Sequence, residues 1–278
     1  MKGLKQKVSA LAAVAVWTML TPLPAWAASP KARVDGELDG ALRQAIERAI
    51  GETDRPIQNR FEARRRAAAA AEDAVAVLRS EGYYAYEVEP QVGEDDAPTP
   101  AVVIRPGPRF LFADPRIDWV APAPDDASQA AGVEVMRLKV GAPGRAADVL
   151  AAEGRIVAAV QKRGYADAEA APREVIVDHA DTTVRPTFRI ATGPLVRLDS
   201  LQLITRGRTS TRWLDRLATW KPGDVYDPED VAELERRLLE TGVYDSVTVA
   251  LAPKEKVGPD GLRPVIVSLA DREARTLE

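Results

Sequence analysis

Cysteine is absent from the 278 residues, and histidine occurs once, as His179. Without cysteine there is no disulfide staple, thiolate zinc site, iron–sulfur cluster or cysteine nucleophile. One histidine excludes multi-histidine metal sites and argues against a histidine-based triad. The formal charge is −4, so the basic signature of a nucleic-acid binder is missing. The phosphate loops GxGxxG and GxxxxGKS/T, the zinc motif HExxH and the nucleophile elbow GxSxG do not occur. Aromatics are only 5% of the chain. What is present, 46% apolar and 29% charged residues, is a globular balance with enough apolar side chains for a sizeable core. The length allows one to three domains.

The first 27 residues read as a secretory signal peptide. Lys2, Lys5 and Lys7 make a basic start, and Val8 to Leu20 is apolar apart from Ser9 and Thr18. Ala25-Trp26-Ala27 is a small-x-small cleavage site. The apolar run is too short to span a bilayer, and no later run approaches the ~18 residues that spanning takes. Cleavage after Ala27 removes three Lys and no acid, which takes the charge from −4 to −7.

The remaining chain repeats itself. A helix-to-strand junction recurs at Gly82-Tyr83-Tyr84, Gly164-Tyr165 and Gly242-Val243-Tyr244. Before each Gly lies a helical periodicity: Ala68, Ala71, Val75 and Leu78; Val149, Ala152, Ile156 and Val160; Val231, Leu234 and Leu238. Asp227, Pro228, Glu229 and Asp230 open the third of these helices with a cap, a first-turn proline and acids at the positive end of the dipole. Gly82, Gly164 and Gly242 are predicted left-handed caps. After each comes a strand, a turn-rich break and another strand: Tyr84–Glu89 and Ala101–Arg105; Tyr165 through Val177 and Thr183–Ile190; Ser246–Leu251 and Pro264–Leu269. The short connections predict antiparallel hairpins. Helices at Leu38–Ile50, Asp126–Leu138 and Ser210–Thr219, each preceded by a short strand, complete three β-α-α-β-β units. The predicted fold class is α+β, with two helices on a three-stranded mixed sheet in each unit.

Residues that could carry chemistry are few. Glu94-Asp95-Asp96 and Asp125-Asp126 read as solvated loop carboxylates, since a calcium loop needs alternating ligands around a Gly turn. His179 reads as a surface loop residue, and Arg64-Arg65-Arg66 as a solvated helix face. Contact of those arginines with an acidic partner or an anionic lipid is the other reading. Alternation puts Tyr84, Tyr86 and Val88 on one strand face. Counted from the Gly, that is opposite in parity to Val247, Val249 and Leu251, so a bulge or a register shift must separate the first and third units.

The closing turns "RPGPRFLF" and "ATGPLVRLDSLQL" resemble the signature in which a POTRA domain's last strand runs through a Gly-Pro turn into the next domain. The stretch "WKPGDVYDPEDVAELERRLLETGVYDSVTVAL" is similar to the last POTRA domain of TamA-type outer-membrane translocation and assembly factors, relatives of BamA. The resemblance implies POTRA-like domains at 28–109, 110–194 and 195–278. It implies no catalytic role, cofactor, metal or nucleic acid. Implied partners are a TamB-like inner-membrane-anchored protein and unfolded outer-membrane β-barrel or autotransporter clients, with a C-terminal β-barrel in the full-length protein. The implied location is the periplasmic face of a Gram-negative outer membrane. A two-partner secretion transporter and, more remotely, a periplasmic hydrolase with two facing carboxylates are the alternatives. Recognition without catalytic residues points to strand augmentation, in which an extended segment pairs with an open sheet edge. The second strand of each unit is the expected edge. In the first unit the partner-binding candidates are Tyr84, Ala85, Tyr86, Glu87, Val88 and Glu89.

Overall fold

The computed structural model describes residues 28–94, 98–258 and 260–272. Residues 1–27, read from the sequence as a signal peptide, and Asp95 and Asp96 of the acidic run lie outside the described residues. The described chain is α+β, with three buried clusters, each under its own sheet.

The first unit contains β1 (Ser29–Pro30), β2 (Arg33–Asp35), α1 (Gly40–Ile50), β3 (Glu52–Thr53), α2 (Arg60–Ser80), β4 (Glu87–Val92) and β5 (Pro100–Arg105). Asp39 caps α1 by accepting from the Leu42 N–H at 2.8 Å. Leu42, Ile46 and Ile50 then fall on one buried stripe. Asn59 caps α2, and Glu62 reaches back to the Gln58 N–H at 3.0 Å. The buried stripe of α2 is Ala63, Ala67, Ala70, Ala74 and Leu78. That corrects the predicted face: Ala68 is exposed, while Ala71 and Val75 are only half-buried. Alanine runs all round this helix, so periodicity could not choose its inner face.

The second unit follows as β6 (Leu111–Phe112), β7 (Arg116–Val120), α3 (Asp126–Met136), α4 (Ala146–Gln161), β8 (Glu169–Asp178) and β9 (Thr183–Ala191). The third is β10 (Arg197–Thr205), α5 (Thr211–Asp215), α6 (Pro228–Glu240), β11 (Tyr244–Leu251) and β12 (Leu262–Asp271). Val149, Ala152, Ile156 and Val160 of α4, and Val231, Leu234 and Leu238 of α6, are the buried stripes that their spacing predicts. The helix expected over Ser210–Thr219 shrinks to the single turn of α5.

In the main sheet of each unit the last strand is central, and in the first unit β1 and β3 pair separately as a short antiparallel ribbon. The orders are β2-β5-β4 and β10-β12-β11, with the first pair parallel and the second antiparallel. In the second unit β9 lies between β8 on one side and β6 and β7 on the other. The parity conflict resolves as a bulge in β11, between Tyr244 and Ser246.

The units join through one repeated backbone circuit. The Gly82 carbonyl accepts from Phe110 N–H, and the Phe110 carbonyl accepts from Gly144 N–H, both at 2.8 Å. One unit later the Gly164 carbonyl accepts from Val196 N–H at 2.8 Å, and the Val196 carbonyl from Tyr226 N–H at 3.0 Å. Gly82, Gly164 and Gly242 all have positive φ, at 89°, 100° and 66°.

Candidate functional site

An antiparallel edge strand turns every second residue's N–H and C=O outward, so one hydrogen bond of known position fixes the rest. Beyond β4, the Gly93 N–H donates to the Thr99 carbonyl at 2.9 Å, which extends the register of Val92 against Pro100 by one pair. Counting back in twos, Gln91, Glu89 and Glu87 bond inward to β5, whereas Val88, Pro90 and Val92 face out. Pro90 has no N–H, and an outward position on an edge is where a strand tolerates proline. The open row of β4 therefore has donors at Val88 and Val92 and a gap between them.

The same count on β11 gives a different edge. The Ala252 N–H donates to the Pro264 carbonyl at 2.9 Å, in register with Leu251 against Val265. Ala250 and Thr248 accordingly bond inward, and Val247, Val249 and Leu251 present both N–H and C=O outward. This row is unbroken. The edge of β8 carries Pro172 within a register shift between Ala171 and Glu174, which disrupts that ladder.

The candidate residues of the first unit separate. Glu87, Val88 and Glu89 lie on the edge strand, but Tyr84, Ala85 and Tyr86 precede it, because β4 starts three residues later than expected. Tyr84 packs on the second unit's core, with its ring edge-on to Phe110 at 5.3 Å. Burial raises the pKa of its hydroxyl. Tyr83, Tyr86 and Val88 pack against the first unit's own core. The Tyr86 hydroxyl accepts from Arg79 Nε at 2.8 Å, and Arg109 lies over the Tyr83 ring. Glu87 is paired across the sheet with Arg105 at 2.8 Å.

Other sequence candidates take structural positions. His179 sits edge-on to Phe110, 5.2 Å between ring centroids, so it belongs to the first junction. Asp125 is a helix cap, not a free loop acid: it accepts from the Ser128 hydroxyl at 2.6 Å and from the Ser128 N–H at 3.0 Å. These bonds, with a further one from the Tyr165 hydroxyl, hold its pKa down at about 2. Sequence reasoning missed the clasp between the second and third units. There Arg263 forks onto Asp167 at 2.8 and 3.0 Å and donates to the Ala252 carbonyl at 2.6 Å. Among the described residues no helix is long and apolar enough to cross a membrane, and no group of three or more acidic or histidine side chains is placed to hold a metal ion.

Residues 203–265 match the POTRA family model, described as a surface antigen variable number repeat. No curated protein matches the sequence. Among solved structures, the chain is similar to POTRA3–5 of BamA from Haemophilus influenzae, at 15% identity and a TM-score of 0.50, covering 90% of this chain and all of that one. POTRA1–3 of the periplasmic domain of Omp85 from Anabaena align at 18% identity and a TM-score of 0.40, covering 87% of this chain and 95% of that one. CdiB from Escherichia coli aligns at 15% identity and a TM-score of 0.27, covering 61% of this chain and 28% of that one. The third unit thus carries the POTRA match, and the α+β architecture of the chain is similar to the POTRA fold of BamA.

Proposed function

We propose that residues 28–109, 110–194 and 195–278 form a periplasmic array of three POTRA-like domains in a TamA-type assembly or translocation factor of the outer membrane. The array docks partner proteins, a TamB-like protein among them, and guides β-rich clients by lending them a strand to pair with. The observation that carries this reading is the open edge of the second strand in each unit, unbroken over Val247, Val249 and Leu251 in β11. Backbone pairing is tolerant of client sequence, and several weak edges in series add avidity. The gap at Pro90 makes β4 the weaker dock of the two.

A proline pair at each edge tests the reading. Val249→Pro removes an outward N–H together with a buried side chain, so it should lower capture of an extended β-barrel peptide at least tenfold relative to Val249→Ala, which loses the same core packing but keeps the N–H. Thr248→Pro breaks an inward bond and should cost about 3 kcal/mol of stability. On β4, Val88→Pro is the outward probe and Glu89→Pro the inward one. Photocrosslinking of the peptide, with circular dichroism on each variant, separates the two effects. A folded Val249→Pro chain that captures peptide normally would remove β11 as the dock.

A further inference from the structure

The first unit has a charged groove away from its sheet edge. The groove, of about 270 Å³, runs between α2 and the short ribbon of β1 and β3. Ile50 and Ala70, both buried, form its floor. Lys31 and Arg55 stand on the ribbon side and Arg65 on the helix side. All three are exposed, and among the described residues none is in an ion pair. Two carboxylates also line the groove. Glu62 is already taken by Arg66 at 2.6 Å, which leaves Asp73 at one end against three cations.

The groove is held open by its own bonds. Arg66 is only 14% exposed, and besides Glu62 it donates to the Arg55 carbonyl at 3.0 Å, tying the loop before α2 to the helix. Arg55 N–H is fixed in turn by the Thr53 hydroxyl at 3.2 Å. Phe61 lies one turn before Arg65 on the same helix face and is 79% exposed. The surroundings make the cations stand out, because the chain beyond residue 27 carries a net charge of −7.

We propose that this groove binds an acidic, extended segment of another protein. Its carboxylates would pair with Arg55, Arg65 and Lys31, and one apolar side chain would rest on Ile50 and Ala70. Charge complementarity selects the occupant: guanidinium groups on two facing walls grip carboxylates on both sides of one strand of peptide. Asp73 repels acids at one end and so limits how far the acidic run extends along the groove. A flat anionic membrane would reach the rim but not the apolar floor, which favours a peptide over a lipid surface. The proposal is independent of the strand-edge reading, since it uses neither β4 nor β11.

The test is fluorescence anisotropy on the full chain with a labelled peptide of Asp and Glu carrying one central Leu. Lys31→Glu/Arg55→Glu/Arg65→Glu should weaken binding at least tenfold. Inverting Arg206, Arg208 and Arg212, three exposed arginines of the third unit, should change it less than about twofold. Ala69→Glu adds one carboxylate at an exposed groove position and should weaken binding while leaving the circular dichroism spectrum unchanged. Replacing the Leu by Ser should cost a further several-fold. Equal losses from both triple variants, or no binding at low salt, would overturn the proposal. Vesicles rich in phosphatidylglycerol that bind through Arg65 while the peptide does not would overturn it in favour of a lipid surface.

Discussion

The two junctions share a backbone circuit and differ in what fills it. At the first, the rings of Tyr84 and His179 flank Phe110, and Glu81 lies between Arg109 and Arg145 at 2.7 and 3.1 Å. At the second, Arg263 is 6% exposed and forked onto Asp167, with Lys162 paired to Glu229 outside it. The first is therefore an apolar contact with ions at its rim, and the second centres on a buried guanidinium held by a part-exposed carboxylate, with Val225 and Leu195 beside Gly164. Glycine sets the geometry in both, because a carbonyl that must meet the next unit's N–H needs the left-handed residue. Side chains then set how each joint responds to mutation. An aromatic joint loses stability in proportion to area, whereas a buried pair loses most when one partner is removed and the other is left charged.

The largest effect should therefore come from Asp167→Ala, which strands the buried guanidinium of Arg263. The expected cost is about 3 kcal/mol. Arg263→Met, which removes the charge with its stem replaced, should cost about 1 kcal/mol or less. Urea unfolding of both variants checks the ratio. If Arg263→Met proves as damaging as Asp167→Ala, the clasp acts through packing and the contrast between the joints disappears.

A middle-sized effect should follow the glycines, and it grades with what each one faces. A Cβ on Gly164 would collide with Val225 and come within 2.7 Å of Leu195. On Gly82 it would press the Gly144 backbone at 3.1 Å. On Gly242 it would meet nothing within 4 Å among the described residues. All three pay the left-handed penalty of about 1 kcal/mol, but Gly164→Ala should cost about 2–3 kcal/mol. A valine at Gly242 or Gly82 raises the conformational part further, because a β-branched residue resists φ > 0. Thermal unfolding of the three alanine variants should rank Gly164 first and Gly242 last. Equal values would mean that the next unit contributes nothing to the requirement for glycine.

The glycines and the helix stripes of the second and third units were legible in the sequence because they are local: a periodicity, then a residue that ends it. The sheet class followed from connection lengths. Tyr84 was misplaced for a physical reason, since strict alternation looks the same whether a ring lies on a strand or crosses to Phe110 in the next unit. The clasp was invisible for a similar reason. Arg263 and Asp167 are 96 positions apart, and each alone reads as an ordinary surface charge. The edge polarity depended on single hydrogen bonds at Gly93 and Ala252, which no side-chain pattern reports.

The smallest predicted effect separates helix capping from the joints. Tyr165, directly after Gly164, turns into its own unit, where its hydroxyl donates to Asp125, whereas Tyr84 crosses to its neighbour. Asp125→Ala removes the cap of α3 and should cost about 1 kcal/mol at neutral pH. Asp125→Asn should cost less, since asparagine caps nearly as well. The pH dependence follows from the sign of the shift. The folded carboxyl titrates at about 2, below its ordinary value of 3.8, so its ionised form stabilises the folded chain. That contribution is complete above about pH 4 and fades as pH falls through the folded value. Wild type should thus lose its advantage over Asp125→Asn between about pH 4 and pH 2, with Asp167 and Arg263 intact in both. Denaturation curves at pH 6 and at about pH 2.5 measure the difference. A gap between the two chains that stays constant over that range would mean that the Asp125 charge does not hold α3, and that the Tyr165 hydroxyl keeps its place by burial alone.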